Sequence, residues 1–168
     1  AGSGAAPAFA IDVAHLGGMY ANKIVLVGTE AGVGVRNAGT IGAAAGEVVV
    51  SADGKLVNQG TLISGEHSLT VSARGVDNAG TISSEGNLTL SSAGEIANSG
   101  LMHAGLELNL DTSGQLTNRQ GTLEGQRLAI AAERLANDGG MLRQNGTQAL
   151  AVSAGPVANA AGALIGNV

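Results

Sequence analysis

Aliphatic residues recur along this chain in columns rather than in runs. Seven phrases, each an asparagine leading shortly to a glycine, are anchored at Asn37, Asn58, Asn78, Asn98, Asn118, Asn137 and Asn159, with spacings of 21, 20, 20, 20, 19 and 22 residues. Two positions before the anchors stand Val35, Leu56, Val76, Ile96, Leu116, Leu135 and Val157. Two positions past the glycines stand Ile41, Leu62, Ile82, Met102, Leu123, Leu142 and Leu164. A third column comes as alternating pairs: Val48/Val50, Leu69/Val71, Leu88/Leu90, Leu108/Leu110, Leu128/Ile130 and Leu150/Val152. Residues two apart share one side of a strand, whereas a helix would repeat at three or four. The pattern therefore predicts three short strands per repeat, separated by Gly, Asn, Asp and Ser turns. Self-similarity at a period near twenty predicts stacked units, each one coil of a parallel β-solenoid.

One such coil cannot stand alone. The unit between Asn78 and Asn98 holds four clear aliphatics, Ile82, Leu88, Leu90 and Ile96, too few to offset the entropy of ordering a whole repeat. Neighbouring coils must cover its two open ends. The anchor asparagines have a matching reason, since Asn tolerates left-handed turns and, stacked in register, can hydrogen-bond to the Asn of adjacent coils. A structural ladder of all seven is preferred to a ligand site, because a column present in every unit is explained by what every unit shares. Asn118-Arg-Gln-Gly, Asn137-Asp-Gly-Gly and Asn159-Ala-Ala-Gly each carry one more residue before the glycine. Regular stacking is most exposed to disruption there.

Composition narrows the picture. The 168 residues include 28 Gly, far above a usual share of about 7%, yet 44% are hydrophobic and strongly periodic, which excludes disorder. A single solenoid domain is expected over residues 11–168, as a fragment of a much larger chain, with residues 1–10 (AGSGAAPAFA) a flexible lead or a cloning remnant. The one Phe and one Tyr, Phe9 and Tyr20, precede the first anchor, so the interior is expected to hold no rings. With no Cys there is no disulfide or thiolate site. A net charge of -5 with eight scattered Lys and Arg argues against nucleic acid or an anionic membrane as partner, either of which would need a basic stripe. No apolar run reaches the length of a membrane span, and no insertion into a bilayer is expected.

Chemistry finds little purchase. Anchor spacing leaves no insertion long enough to wall a cleft, and sugar-gripping aromatics are missing from the repeats. His15, His67 and His103 fall at different phases of the repeat and have no ligand-spaced partner, so no metal site is expected. Gly-Gly-x-Gly-x-Asp calcium repeats, a nucleophile elbow and a phosphate-binding loop are all missing, and no cofactor is implied. The residues after the anchor glycines, Thr40, Thr61, Thr81, Leu101, Thr122, Met141 and Ala163, form a single interrupted rank. Strand preference explains it better than ice binding.

The phrases "GGMYANKI" and "GTEAGVGVRNAGTI", within Ile11 to Ala43, resemble a stretch of the filamentous haemagglutinin family of two-partner secretion exoproteins. The segment "LVNQGTLISGEHSLTVSARGVDNAGTI", Leu56 to Ile82, is similar to that family's haemagglutinin repeats. The resemblance covers nearly the whole sequence. It implies a right-handed parallel β-helix from a large bacterial exoprotein, either an adhesin or a contact-dependent growth inhibition effector. It also implies an outer-membrane transporter as the export partner, and a secreted or cell-surface location. The expected role is a non-catalytic shaft that carries distal regions outward. The alternatives are an adhesin module for a host glycan or cell-surface partner and, less favoured, a carbohydrate-active β-helix enzyme.

Overall fold

The structure is a computed structural model and describes residues 8–14 and 17–167. Every extended strand in it pairs in parallel. A chain that winds one way around a thin core returns each strand beside its equivalent one coil earlier, so parallel pairing follows from the repeat. The first coil comprises Phe9–Val13, Gly18–Ala21 and Ile24–Gly28; the third comprises Lys55–Asn58, Thr61–Ser64 and Leu69–Ala73. The described residues make eight coils, the eighth incomplete, and at about 4.8 Å per coil the rod is about 38 Å long.

Three faces result. Face A carries the strands that end in the anchor asparagines, face B those that follow the glycine turn, and face C the alternating pairs. In the fifth and sixth coils the corners themselves are extended. Leu101–Arg119 and Thr122–Asp138 run as continuous strands that bend where their register breaks, between Ala104 and Glu107 and between Thr112 and Gln115.

Through the first seven coils all three aliphatic columns point inward. Leu56, Leu62, Leu69, Val71, Val76, Ile82, Leu88, Leu90 and Ile96 are fully buried, as are Met102, Leu108, Leu110 and Leu116 further along. Both aromatics lie outside this core: Tyr20 is 76% exposed, and the Phe9 ring sits under the Arg36 guanidinium at 5.6 Å.

Stacking, most exposed to disruption after Asn118, holds there: the register runs from Asn118 to Asn137 and on to Asn159. One expectation is corrected. Leu164 does not join the inward column, because Ile165 pairs with Leu142 while Leu164 pairs with Met141 and is 46% exposed. For the same reason Leu164, not Ala163, continues the threonine rank. The turn after Asn159 holds two residues of positive φ, Ala161 and Gly162 (56° and 77°), and this longer turn moves the strand on by one residue, which exchanges its two sides. Of the lead expected over residues 1–10, residues 1–7 lie outside the described residues, and Phe9 and Ala10 already belong to the first strand.

Candidate functional site

The most continuous polar feature is the corner between faces A and B. The Asn37 amide Nδ2 donates to Asn58 Oδ1 at 2.8 Å, Asn58 to Asn78 at 2.7 Å and Asn78 to Asn98 at 2.8 Å. The row continues from Asn98 to Asn118 at 2.8 Å, to Asn137 at 2.8 Å and to Asn159 at 2.7 Å. All six bonds point the same way, so their dipoles add. The side chains also tie down the turns; Asn58 Nδ2, for example, donates to Gly60 O in its own turn at 3.2 Å and to Thr81 O in the next coil at 3.0 Å. Asn37, Asn58, Asn78 and Asn118 are fully buried. In the first coil Val13 takes the equivalent position and lies beside Asn37 in the ladder, so an aliphatic residue borders the row at that end. The coil below approaches so closely that a Cβ on Gly80 would stand 2.1 Å from Gly60 O; glycine is the residue that permits this spacing.

Charges organise around the rod by the same stacking. All eight Lys and Arg residues meet a carboxylate, and all but Arg134 do so across coils: Lys23–Glu47, Arg36–Asp12, Lys55–Asp77, Arg74–Asp53, Arg119–Asp138, Arg127–Glu107 and Arg143–Glu124. The hydrogen bond from Arg74 holds the Asp53 carboxyl below its ordinary value, and that from Lys23 does the same for Glu47. Among the described residues no Lys or Arg is left over to build a basic stripe.

One cluster escaped the sequence. His103 Nδ1 lies 2.9 Å from Glu124 Oε1, and the Arg143 guanidinium holds the other oxygen of the same carboxylate. These three residues sit in consecutive coils in one register column. Counted from the anchors, His103 stands five past Asn98 whereas Glu124 and Arg143 stand six past Asn118 and Asn137, so the anchors alone set His103 out of line with its partner. Of the other histidines, His67 is exposed and its backbone carbonyl accepts from Ser64 Oγ at 2.9 Å and Ser84 Oγ at 2.6 Å; His15 lies outside the described residues. Among the described residues no three His, Cys, Asp or Glu side chains gather as metal ligands.

Face A carries an open concavity of about 450 Å³ with Ala97 and Ala136 as floor and Glu95, Gln115, Thr117, Arg119 and Asp138 around it. Gln115 donates to Thr117 Oγ1 at 3.0 Å, and Thr117 reaches Glu95 at 3.4 Å. Such a surface offers hydrogen bonds to a polar ligand.

The haemagglutinin repeat family model matches residues 5–60, 62–120 and 106–168. The chain belongs to the haemagglutinin repeat family. This haemagglutinin-repeat segment is 40% identical over 141 residues to "Toxin CdiA" of Escherichia coli, a match over 83% of the segment and 4% of that protein. It is 57% identical over 74 residues to "Toxin CdiA" of Yersinia pestis (44% of the segment, 2% of that protein). It is also 52% identical over 75 residues to "16S rRNA endonuclease CdiA" of Enterobacter cloacae (45% and 2%). The segment thus spans about 2–4% of the length of the curated relatives it matches. No solved structure matches it. Family and relatives together identify a repeat-containing segment of a large, filamentous haemagglutinin-like two-partner secretion exoprotein, of a kind that is secreted or displayed at the cell surface.

Proposed function

We propose that this segment is a non-catalytic shaft, a right-handed stretch of β-helix that holds distal regions of its parent exoprotein away from the cell. The observation that carries this reading is the parallel stacking of eight coils, the eighth incomplete, with the asparagine row running through seven of them. In this reading the seven asparagines have a structural task, to pin each coil to the next, and no ligand. Nearest-neighbour stacking suits passage through an outer-membrane transporter, because each emerging coil can fold onto the one before it. Growth of the rod outside then biases the polypeptide against slipping back. Leu88→Asp, which places a charge in the core, is expected to slow export; an unchanged export rate would remove that bias from the account.

The test of the shaft is deletion of whole coils from the full-length exoprotein on its native cell. Activity should fall gradually with the length removed. Abrupt loss on removing one particular coil would instead favour a second reading, a binding module for a glycan or cell-surface partner, which the polar concavity around Glu95, Gln115 and Arg119 supports.

A further inference from the structure

The corner between faces B and C in the seventh coil departs from the rest of the rod. Six residues separate strand Met141–Gln144 from Ala151–Ala154, whereas four separate Thr61–Ser64 from Leu69–Ala73 in the third coil. Within the longer corner lies Asn145-Gly146, the one Asn-Gly dipeptide in the sequence. Asn145 is exposed, and among the described residues its amide group makes no hydrogen bond. From the geometry we infer that Asn145 is a self-modifying site, at which the folded protein converts its own asparagine to aspartate and isoaspartate.

The chemistry needs only water. The Gly146 backbone nitrogen, after loss of its proton, attacks the amide carbon (Cγ) of Asn145. The new bond from nitrogen to Cγ closes a five-membered succinimide, and the Cγ–Nδ2 bond breaks to release ammonia. Water then adds to either ring carbonyl: opening one C–N bond returns a normal aspartyl backbone, and opening the other leaves an isoaspartyl link that runs through the side group. Glycine in the second position removes the bulk that would otherwise crowd the attacking nitrogen.

Six of the seven row asparagines are protected twice. None is followed by glycine, and the amides of Asn37, Asn58, Asn78, Asn98, Asn118 and Asn137 are held by the next coil. At Asn145 the restraint is lighter. Gly146 N donates to Gln126 O at 2.9 Å and Asn145 N to Gly125 O at 2.8 Å, so the first of these bonds must open before the nitrogen can turn to attack. The rate therefore reports how often this corner opens. Conversion adds one carboxylate, taking the formal charge from -5 to -6, and the isoaspartyl form lengthens the backbone so that the two tethers can no longer both keep their register. The Gln144 amide, which accepts from Leu128 N at 2.9 Å and donates to Gln148 O, then loses part of its support.

The experiment is to hold the folded protein at mildly alkaline pH and body temperature, sample over days, and quantify aspartate and isoaspartate at every asparagine by peptide mapping and mass spectrometry. A parallel sample unfolded in urea gives the unrestrained rate. Conversion at Asn145 ahead of every row asparagine, several-fold slower than in urea and abolished by Asn145→Gln, is the expected result. Two outcomes overturn the inference: folded protein unchanged at Asn145 while the urea sample converts, or conversion spread evenly over Asn145 and the row.

Discussion

The coils from Asn58 to Asn118 and those from Asn118 to Asn159 solve the same corner in two ways. In the first group the glycine stands two residues past its asparagine; in the second group it stands three past. The added residue is taken up at the corner itself, where Gln120, Gly139 and Ala161 all have positive φ (56°, 62° and 56°). The asparagine bonds on either side of this change are equally short, 2.8 Å from Asn98 to Asn118 and 2.8 Å from Asn118 to Asn137. A buried amide row that leaves no partner unsatisfied is costly to break, whereas a single left-handed residue costs roughly 1–2 kcal/mol. The strain therefore goes into the turn, and the row stays straight.

The comparison can be broken most forcefully in the central coils. Leu90→Ala is expected to destabilise the rod by about 2–5 kcal/mol through an unfilled cavity, while Val157→Ala, at a position 51% exposed, should cost well under 1 kcal/mol. Urea midpoints of the two variants would measure the gap. Next in size, Asn78→Leu breaks two row bonds and leaves Asn98 Oδ1 buried without its donor, while Asn58 Nδ2 keeps Gly60 O and Thr81 O, a loss of about 1–3 kcal/mol for the orphaned oxygen. Asn159→Ala, which removes one row bond, should cost visibly less in the same assay.

The two kinds of corner can then be told apart by glycine exchange. Gly80→Ala should destabilise by about 1–3 kcal/mol, because the added methyl meets backbone rather than open space. In the late coils Gln120→Gly should stabilise by about 0.5–1 kcal/mol by relieving positive φ, whereas Gly139→Ala should destabilise by a similar amount, both read as shifts in melting temperature.

Smallest of all is the exposed pair Asp53–Arg74. Because the folded-state value of Asp53 is depressed, its contribution is present above the unfolded carboxylate value and is lost as pH falls through the folded one. Asp53→Asn should therefore lower the melting temperature slightly at neutral pH and leave it unchanged in strong acid. A difference that persisted in acid would assign the effect to something other than the charge pair.

Much of this was legible before any coordinates. The three aliphatic columns and the positions of the anchors come from spacing alone, because a strand alternates sides and a coil must bury the same side each time. Leu164 shows where that reading fails: counting from a glycine assumes a fixed turn, and the turn after Asn159 is longer. The His103–Glu124–Arg143 cluster failed for a related reason, since one extra residue shifts the count between otherwise equivalent positions. Tyr20 shows another gap. The sequence excluded rings from the core, yet the residues stacked in register beyond Tyr20, Gly42 and then Ile63, are 22 and 43 residues away.

By itself the sequence determined the period, the inward columns and the recurrence of asparagine, because each of these is a local rule applied coil after coil. Which residues meet across coils, how the late corners absorb their extra residue, and which of Leu164 and Ile165 enters the core were decided only by tertiary structure. Those outcomes depend on register between coils. Register is set jointly by turn length, hydrogen bonding and packing over some twenty residues of intervening sequence.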